Sequence, residues 1–376
     1  MRAAVVGTGF IGVVHVEALR RLGIEVTGVV GSSPERAAAK PGLPDPYESF
    51  EAMLADARVD VVHLTTPNHL HHPQVKAVLA SGKHVVCEKP LALSSVESAE
   101  LLELAGASGL VHCTNYNIRF YSLCREARER VARGDLGTIW NAHGTYLQDW
   151  LQQPTDWNWR LDPAQGGSLR AVADIGTHWL DLIGWITGRR VAAVFADLST
   201  VHDVRQVPTG PVETFSTGGG EIERVDRKMD SEDAAHILLR YEDGTRGQVT
   251  ISQVSAGRRN HVSFELDGSG GALAWNSERH EELWLGHRDR PNELLLRDPG
   301  LMSGGARGGT DYPGGHAEGF PDTFKQLYRA VYRAVEAGGM PAEPDFPTFV
   351  DGHEEILLGE AIAESAATGT WTEVAR

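Results

Sequence analysis

The sequence predicts an α/β protein that begins with a doubly wound parallel sheet and continues into an α+β domain built on a mainly antiparallel sheet. Three features indicate this: strands and helices alternate up to residue 118, a glycine-rich turn follows the first strand, and short alternating strands fill residues 191–285. Strands that alternate with helices form right-handed βαβ units and hence a parallel sheet. Because a domain usually contains about 100–200 residues, we divide the chain into residues 1–118 and 119–376.

The first domain consists of short apolar runs separated by helical patterns. Its predicted strands are 2–6, 25–30, 59–64, 84–87 and 111–114, and its predicted helices are 11–22, 34–40, 49–55, 73–81 and 94–107. In doubly wound sheets, ligands bind at the edge formed by the carboxyl ends of the strands. Residues that follow directly after these strands are therefore the first candidates for a functional site.

The second domain is rich in strands with alternating apolar residues. Strands are predicted at 191–199, 234–241, 245–255, 262–266, 272–276 and 281–285, and helices at 174–187, 322–336 and 349–367. Asp243-Gly244 lies between two of these strands and is a strong hairpin signal, and the regular spacing favours an antiparallel sheet. The glycine-rich stretches 208–220 and 303–315 are predicted to be surface loops.

The composition argues against several classes of protein. A formal net charge of −16 disfavours binding to nucleic acids or anionic membranes, because both need clustered Lys and Arg. No segment reaches the roughly 20 apolar residues of a membrane span, and glycines interrupt the apolar start, so we expect neither a span nor a signal peptide. The three cysteines form no CxxC pair, which predicts a reducing, cytoplasmic setting.

The turn after the first strand matches a dinucleotide-binding fingerprint. Gly7-Thr8-Gly9-Phe10-Ile11-Gly12 has the pattern G-x-G-x-x-G between a predicted strand and a predicted helix, which is the context that the fingerprint requires. Gly7 allows the tight turn, Gly9 lets the backbone approach a pyrophosphate, and Gly12 allows close packing of helix and strand. The helix N-terminus then offers N–H groups to the phosphates. We therefore expect a Rossmann domain; the alternative is a plain strand–helix turn.

The residues after the second strand leave the choice between NAD and NADP open. An acidic residue about 20 positions after the glycines would hold the ribose 2′-hydroxyl of NAD. That position is Gly31 here, followed by Ser32, Ser33 and Arg36, which are able to contact either a 2′-phosphate or a bare ribose. Arg36 is alternatively a solvated helix residue. We expect NAD or NADP, with a slight preference for NAD.

Two further motifs carry groups for proton transfer. Lys89 follows the fourth strand in Cys87-Glu88-Lys89-Pro90, where it is placed to reach a nicotinamide and a reacting hydroxyl, although a lone Lys-Pro is usually part of a surface loop. Asp174 and His178 are one helical turn apart and share a face. His178 is suited to take a hydroxyl proton while Asp174 binds substrate or orients the imidazole. The alternative is a capping Asp with a structural His.

In combination, these motifs resemble the Gfo/Idh/MocA oxidoreductase family over nearly the whole chain. The motifs are the glycine turn, Thr66-Pro67-Asn68-His69-Leu70-His71, Glu88-Lys89-Pro90 and Asp174-Ile175-Gly176-Thr177-His178. The resemblance implies a Rossmann domain followed by an α+β domain with a large open sheet, often used for oligomer contacts. It also implies reversible oxidation of a ring hydroxyl on a sugar or inositol, with Lys89, Asp174 and His178 in the catalytic positions and His178 as acid–base.

The resemblance also implies which residues line the two binding sites. Thr66, Pro67, Asn68, His71 and Asn117 would lie near the nicotinamide, together with the adjacent Thr65, Glu88 and Lys89. Lys89, Asp174 and His178 would also contact the substrate, with Arg119, Trp157, Trp159 and Arg160. His316 is a further candidate because functional residues are often placed on loops of a rigid scaffold. Tryptophans stack on the apolar faces of sugar rings, although a loop Trp is more often core packing. We expect a small carbohydrate or cyclitol substrate and a homodimer or homotetramer.

Other functions remain open. One is a non-catalytic sensor or corepressor on the same fold, because fold does not determine function. We expect such a sensor to lose the catalytic Lys or His, whereas Lys89 and His178 are both present. Another is an enzyme in which oxidation of one ring carbon prepares elimination or glycoside cleavage. His69, His71 and His72 lack Cys or carboxylate partners at ligand spacing, so we expect no metal.

Overall fold

The structure is a computed structural model that describes residues 1–210 and 223–376. The chain forms two compact units. The first contains Met1–Asn117, Ala164–Gly167 and Pro321–Ile356, and the second contains Ile118–Pro163, Ser168–Phe320 and Leu357–Arg376. In the described ranges, no helix combines the length and apolar character that crossing a membrane requires. We keep the domain boundary after residue 118 as a proposal.

The first unit contains the predicted parallel sheet of five strands. Its strands are β1 (Arg2–Val6), β2 (Glu25–Val30), β3 (Val61–Leu64), β4 (His84–Cys87) and β5 (His112–Thr114), in the order β2-β1-β3-β4-β5. The intervening helices are α1 (Phe10–Arg21), α2 (Pro34–Ala38), α3 (Phe50–Ala55), α4 (His71–Ala80) and α5 (Ser95–Ser108). All four strand pairings are parallel, so the carboxyl ends of the strands share one edge.

The apolar strands make this sheet the core of the first unit. Ala4 of β1, Val62 of β3 and Val85 of β4 are each 0% exposed. Strands that are covered on both faces consist of nearly continuous apolar residues, which explains why these short runs were recognisable in the sequence.

The second unit is built on a nine-stranded sheet that is mainly antiparallel, as predicted. Its strand order is β15-β14-β13-β12-β6-β11-β10-β7-β16, and β6 with β11 is its parallel pair. The strands are β6 (Ile139–Leu147), β7 (Val191–Ser199), β10 (Ala234–Tyr241), β11 (Arg246–Ser252), β12 (His261–Gly268), β13 (Ala272–Asn276), β14 (Glu282–Gly286), β15 (Glu293–Leu296) and β16 (Thr372–Glu373). A separate two-stranded ribbon consists of β8 (Val204–Pro208) and β9 (Arg224–Lys228).

Further α-helices follow the first sheet in the sequence. They are α6 (Ser122–Arg133), α7 (Pro163–Gly166), α8 (Thr177–Thr187), α9 (Gly304–Arg307), α10 (Phe320–Glu336) and α11 (Phe349–Thr368). A π-helical turn, Val172–Gly176, leads directly into α8.

One face of the nine-stranded sheet is buried and the other is more exposed. Along β10, Ala235, Ile237 and Leu239 belong to the core, whereas Leu238 is 44% exposed. Such alternation is typical of an antiparallel sheet with one covered face. The covered face holds helix α8, whose Trp179 is fully buried and donates its indole N–H to the Ser263 carbonyl oxygen.

Strand β6 differs from the sequence prediction, which left it out. It contains Gly144, where an added Cβ would lie 2.0 Å from the Ser263 carbonyl oxygen and 2.7 Å from the Trp179 indole nitrogen. Only glycine therefore allows the indole to pack this closely on the strand. Because glycine has low strand propensity, the segment lacks the pattern of a strand.

The predicted loops have different outcomes. Residues 211–222, which include most of the loop predicted at 208–220, lie outside the described residues. The loop predicted at 303–315 contains the short helix α9. The hairpin predicted at Asp243-Gly244 is confirmed, since it joins β10 to β11 and Gly244 has a positive φ of 90°.

Candidate active site

The glycine turn joins β1 to α1 at the carboxyl edge of the first sheet. Gly7 has a φ of 107°, and a Cβ on it would lie 2.5 Å from the Thr65 carbonyl oxygen. A Cβ on Gly12 would lie 2.1 Å from the Gly7 carbonyl oxygen, so α1 packs against the turn itself. Gly9, by contrast, has no neighbour within 4 Å of its Cβ position and is exposed. The turn thus leaves an open cradle at the N-terminus of α1, which suits a phosphate.

Residues after β3 hold this turn in place. The Thr65 hydroxyl lies 3.0 Å from both the Val6 and the Gly7 carbonyl oxygens. His71 is fully buried, with one ring nitrogen 2.7 Å from the Pro90 carbonyl oxygen and the other 2.9 Å from that of Thr66. Burial lowers the pKa of His71 below its usual value. His71 thereby connects the segment after β3 to the segment after β4.

Other predicted cofactor residues lie in the same unit. Asn68 is buried and donates through its side-chain amide to the Gly166 carbonyl oxygen at 2.8 Å. Asn117 donates in the same way to the Thr323 hydroxyl at 2.7 Å. These side chains are fixed by hydrogen bonds within the first unit, as expected for residues that shape a binding surface.

The segment after β2 explains why no acid follows that strand. A Cβ on Gly31 would lie 2.9 Å from Ala37 Cβ and 3.2 Å from the Thr8 hydroxyl, so the position has little room for a carboxylate side chain. Ser33 caps α2 by accepting a hydrogen bond from the Arg36 N–H at 3.3 Å. Ser32 and the Arg36 side chain are exposed, so both are accessible to a ribose or a 2′-phosphate.

Glu88 of the Glu88-Lys89-Pro90 motif is held by several side-chain contacts. One of its carboxylate oxygens lies 3.1 Å from His15 Nε2 and also accepts a hydrogen bond from the Asn115 side chain. Its other oxygen accepts from the Lys89 N–H at 3.3 Å. Lys89 is half-buried, and its peptide bond to Pro90 is cis. The buried carboxylate therefore fixes the backbone from which the Lys89 side chain extends.

In the second unit, Asp174 and His178 lie on the segment that passes from the π-helical turn into α8. The N-cap residues of the π-helical turn and of α8 are Ala171 and Gly176, so the interpretation of Asp174 as a cap is wrong, whereas the structural role of His178 stays an alternative. Asp174 Oδ1 lies 2.9 Å from Arg160 Nε, and Asp174 Oδ2 accepts from the Gln253 side-chain amide at 2.8 Å. His178 is 8% exposed, and the centroid of its ring lies 6.2 Å from that of Tyr146. Turns of this π type often occur at functional sites.

Three of the predicted substrate residues are linked by the contacts of Arg160, whereas Arg119 has a different partner. The Arg160 guanidinium lies 4.5 Å from the centre of the Trp159 ring and also pairs with the Asp174 carboxylate. Arg160 therefore connects Trp159 to Asp174. Arg119 forms a buried ion pair with Asp181.

Trp157 and His316 are held by other contacts. Trp157 packs against a small apolar cluster of Leu151, Leu161 and Met229. His316 is exposed, and its carbonyl oxygen accepts a hydrogen bond from Arg297. Their roles in substrate binding stay predictions.

A possible metal-ligand group lies elsewhere in the second unit. Among the described residues, His143, Glu265 and Asp267 place one ligand atom each within 4.8 Å of the others. His143 and Glu265 are a cross-strand pair of β6 and β12, and Asp267 is two residues further along β12. None of the three had been singled out from the sequence. The expected absence of a metal stays a prediction.

The contacts of Asp174 were also not foreseen. Gln253, which binds its carboxylate, is 79 residues away in the sequence. Arg170, which binds Gln253, carries no motif of its own. No local pattern indicates such a partner, because the pairing arises only when the end of β11 packs beside the π-helical turn.

Fold and site together define a dinucleotide-binding oxidoreductase. Residues 1–116 match the model of the oxidoreductase family with an NAD-binding Rossmann fold, and residues 124–274 match that of the GFO/IDH/MocA C-terminal domain. The two matches together span well over half of the sequence. The chain therefore belongs to the Gfo/Idh/MocA oxidoreductase family, as the resemblance of its motifs implied.

Individual relatives are similar over their whole lengths. A levoglucosan dehydrogenase of Pseudarthrobacter phenanthrenivorans is 29% identical, with 100% of this chain and 98% of the relative aligned. A 1,5-anhydro-D-fructose reductase of Ensifer adhaerens is 27% identical, with 95% and 93% aligned. The solved structure of levoglucosan dehydrogenase in complex with NADH and levoglucosan has a TM-score of 0.88 at 27% identity, covering 100% of both chains.

The open cradle at Gly9 predicts that Gly9→Ala folds normally but binds dinucleotide poorly. The new methyl group meets no protein atom, and the φ of −71° suits alanine, but the methyl group occupies space that a pyrophosphate needs. We expect the Kd for NADH to rise about tenfold or more, since that corresponds to the loss of about one charge-assisted hydrogen bond. A fluorescence titration with NADH measures it.

The matched control is Gly106→Ala in α5, another position with no neighbour within 4 Å of its Cβ. This variant should bind NADH as the unchanged protein does. An unaltered Kd in Gly9→Ala would contradict the assignment of the cradle.

Proposed function

We propose that this protein oxidises a secondary ring hydroxyl of a neutral sugar, sugar derivative or cyclitol by hydride transfer to NAD or NADP. The observation that carries the proposal is the fixed Asp174 carboxylate one turn from His178, in a chain that also keeps Lys89 after β4. Membership of an oxidoreductase family and the names of its relatives support the same reaction.

The proposed roles follow from ordinary proton chemistry. A bound nicotinamide would supply the acceptor for the hydride that leaves the ring carbon. His178 takes the proton of the same hydroxyl as general base. Lys89 hydrogen-bonds that oxygen and assists the proton transfer. Asp174 binds a neighbouring hydroxyl, for which an ionised carboxylate is a strong acceptor.

The residues of the first unit fit a nicotinamide dinucleotide. The cradle at Gly9 would hold the pyrophosphate, and the exposed Ser32 and Arg36 would contact the adenosine ribose. A ribose hydroxyl and a 2′-phosphate are both compatible with a serine and an arginine at this place. Both NAD and NADP therefore remain in the proposal.

The charges around Asp174 favour a neutral substrate. Asp174 is paired with Arg160, so the guanidinium already has an anionic partner. Trp159 lies against the same guanidinium and provides an aromatic surface of the kind on which sugar rings stack. A sugar acid or sugar phosphate would have to compete with Asp174 for Arg160. A neutral sugar ring binds without displacing Asp174 from Arg160.

The activity is tested by a screen of neutral sugars, anhydrosugars and inositols with NAD and with NADP, following absorbance of the reduced nicotinamide. We expect reduction with at least one polyol and little with sugar acids or phosphates. Lys89→Ala and His178→Ala should each lower kcat by ~10²-fold or more, because each removes a group from proton transfer.

Lys76→Ala and His287→Ala, which remove the partners of the exposed Glu100 and Glu293, are the matched controls and should retain activity. Unchanged turnover in both active-site variants would contradict the assigned roles. Tight dinucleotide binding without reduction by any polyol would instead indicate a sensor.

We also propose that the protein is a homodimer or homotetramer whose contacts include the outward face of the nine-stranded sheet. Leu238 of β10 and Leu294 and Leu296 of β15 are between 44% and 56% exposed on strands whose neighbouring residues face the core. Exposed leucines on an uncovered sheet face are typical of a contact surface between identical chains.

Light scattering after size-exclusion chromatography should therefore report two or four chains. Leu238→Glu should shift the protein towards the monomer, because it introduces a charge on this face. Leu301→Glu, at an exposed leucine outside the strands, is the control and should not. A monomeric unchanged protein would contradict the proposal.

A further inference from the structure

Charged residues that are almost completely buried lie next to the π-helical turn of the second unit. Arg170, Arg205, Glu232 and Asp233 are between 0% and 4% exposed. The Asp233 carboxylate binds both guanidinium groups, with Arg205 Nη2 at 2.7 Å. Replacing such buried ion pairs with apolar residues is often neutral or even stabilising, so fold stability alone is a weak reason for their presence.

These charges hold the backbone that carries Asp174. The backbone N–H groups of Arg170 and Val172 both donate to the Glu232 carboxylate at 2.9 Å. The Asp174 N–H donates to the Arg170 carbonyl oxygen at 2.8 Å. The start of the π-helical turn is therefore anchored on a buried carboxylate rather than on solvent.

The same group of residues reaches the Asp174 side chain through Gln253. Gln253 is fully buried at the end of β11, and its backbone N–H donates to the Asp233 carbonyl oxygen at 2.9 Å. Its side-chain oxygen accepts from Arg170 Nη1 at 3.0 Å, and its side-chain nitrogen donates to Asp174 Oδ2 at 2.8 Å.

The two partners of Gln253 leave one orientation of its amide. A guanidinium only donates and a carboxylate only accepts, so the oxygen must face Arg170 and the NH₂ group must face Asp174. A reversed amide would place like groups against each other on both sides. The side-chain amide of Gln253 therefore has one orientation, and it holds the Asp174 oxygen that it binds in one position.

We propose that Gln253, oriented by Arg170, is a positioning residue that sets the side-chain rotamer of Asp174 for sugar binding; this rests on the role proposed for Asp174. Arg160 holds the other carboxylate oxygen from a more exposed segment, with 22% of its side chain accessible. Without the Gln253 amide, Arg160 alone determines the orientation of the Asp174 carboxylate. Misplacement of a binding group by about 1 Å costs up to ~10²-fold in rate.

The test compares Gln253→Met, which keeps nearly the same volume, with Gln253→Glu, which places a second carboxylate against Asp174. We expect the KM for the sugar to rise at least fivefold in Gln253→Met and further in Gln253→Glu, with the KM for the dinucleotide within twofold. A smaller folded fraction would lower kcat without changing either KM. Gln206→Met and Gln206→Glu, at an exposed position of the separate β8–β9 ribbon, are the matched controls.

Crystal structures of the unchanged protein and both variants supply a readout that does not need activity. We expect the Asp174 carboxylate to rotate away from position 253 in Gln253→Glu. An unmoved carboxylate, or an unchanged KM for the sugar, would overturn the proposal. If the unchanged protein oxidises no polyol, the proposed function fails, and the carboxylate position alone decides the role of Gln253. If Gln253→Glu does not fold, the KM for the sugar and the position of the Asp174 carboxylate are both measured with Gln253→Met.

Discussion

The close approach of the first turn to its neighbours is the constraint on which the first unit depends. A side chain at Gly7 would collide with the backbone of Thr65, and one at Gly12 would collide with the turn itself. Because neither residue has a Cβ, β1, β3 and α1 come together, and the helix begins at the edge where the parallel strands end. Gly9 then remains open at that helix N-terminus. The same glycines therefore determine the packing and create the place for a phosphate.

In each unit, buried polar contacts fix the candidate residues. In the first unit, the Glu88 carboxylate is bound by His15 and Asn115 and holds the Lys89 backbone. In the second, Asp174 is bound by Arg160 and Gln253. A buried polar group destabilises the fold unless it has a hydrogen-bond partner. A buried network in which every group has a partner holds its side chains in one geometry. Such rigidity is what a reaction with strict distance requirements needs.

The sequence predicted what depends on local patterns. The five strands of the first sheet were recognisable as apolar runs, and the glycine turn as a spacing of three glycines. Strand β6 was missed because it contains Gly144, a residue of low strand propensity that is needed where the Trp179 indole of α8 packs closely on the strand. The partners of Asp174 were missed because they are distant in sequence, and the π-helical turn leaves no composition signal. The choice between NAD and NADP stays open for a physical reason: Ser32 and Arg36 are compatible with both.

The central claim is that a hydrogen leaves a sugar ring carbon as hydride and arrives on the nicotinamide. Mass spectrometry of the reduced cofactor tests this most directly, with the unchanged protein and a ring-deuterated form of the neutral polyol that it oxidises. The account predicts that the reduced dinucleotide carries one deuterium from the ring. Reduced dinucleotide without deuterium would contradict direct hydride transfer, and failure of every neutral polyol to reduce it would contradict the proposed activity.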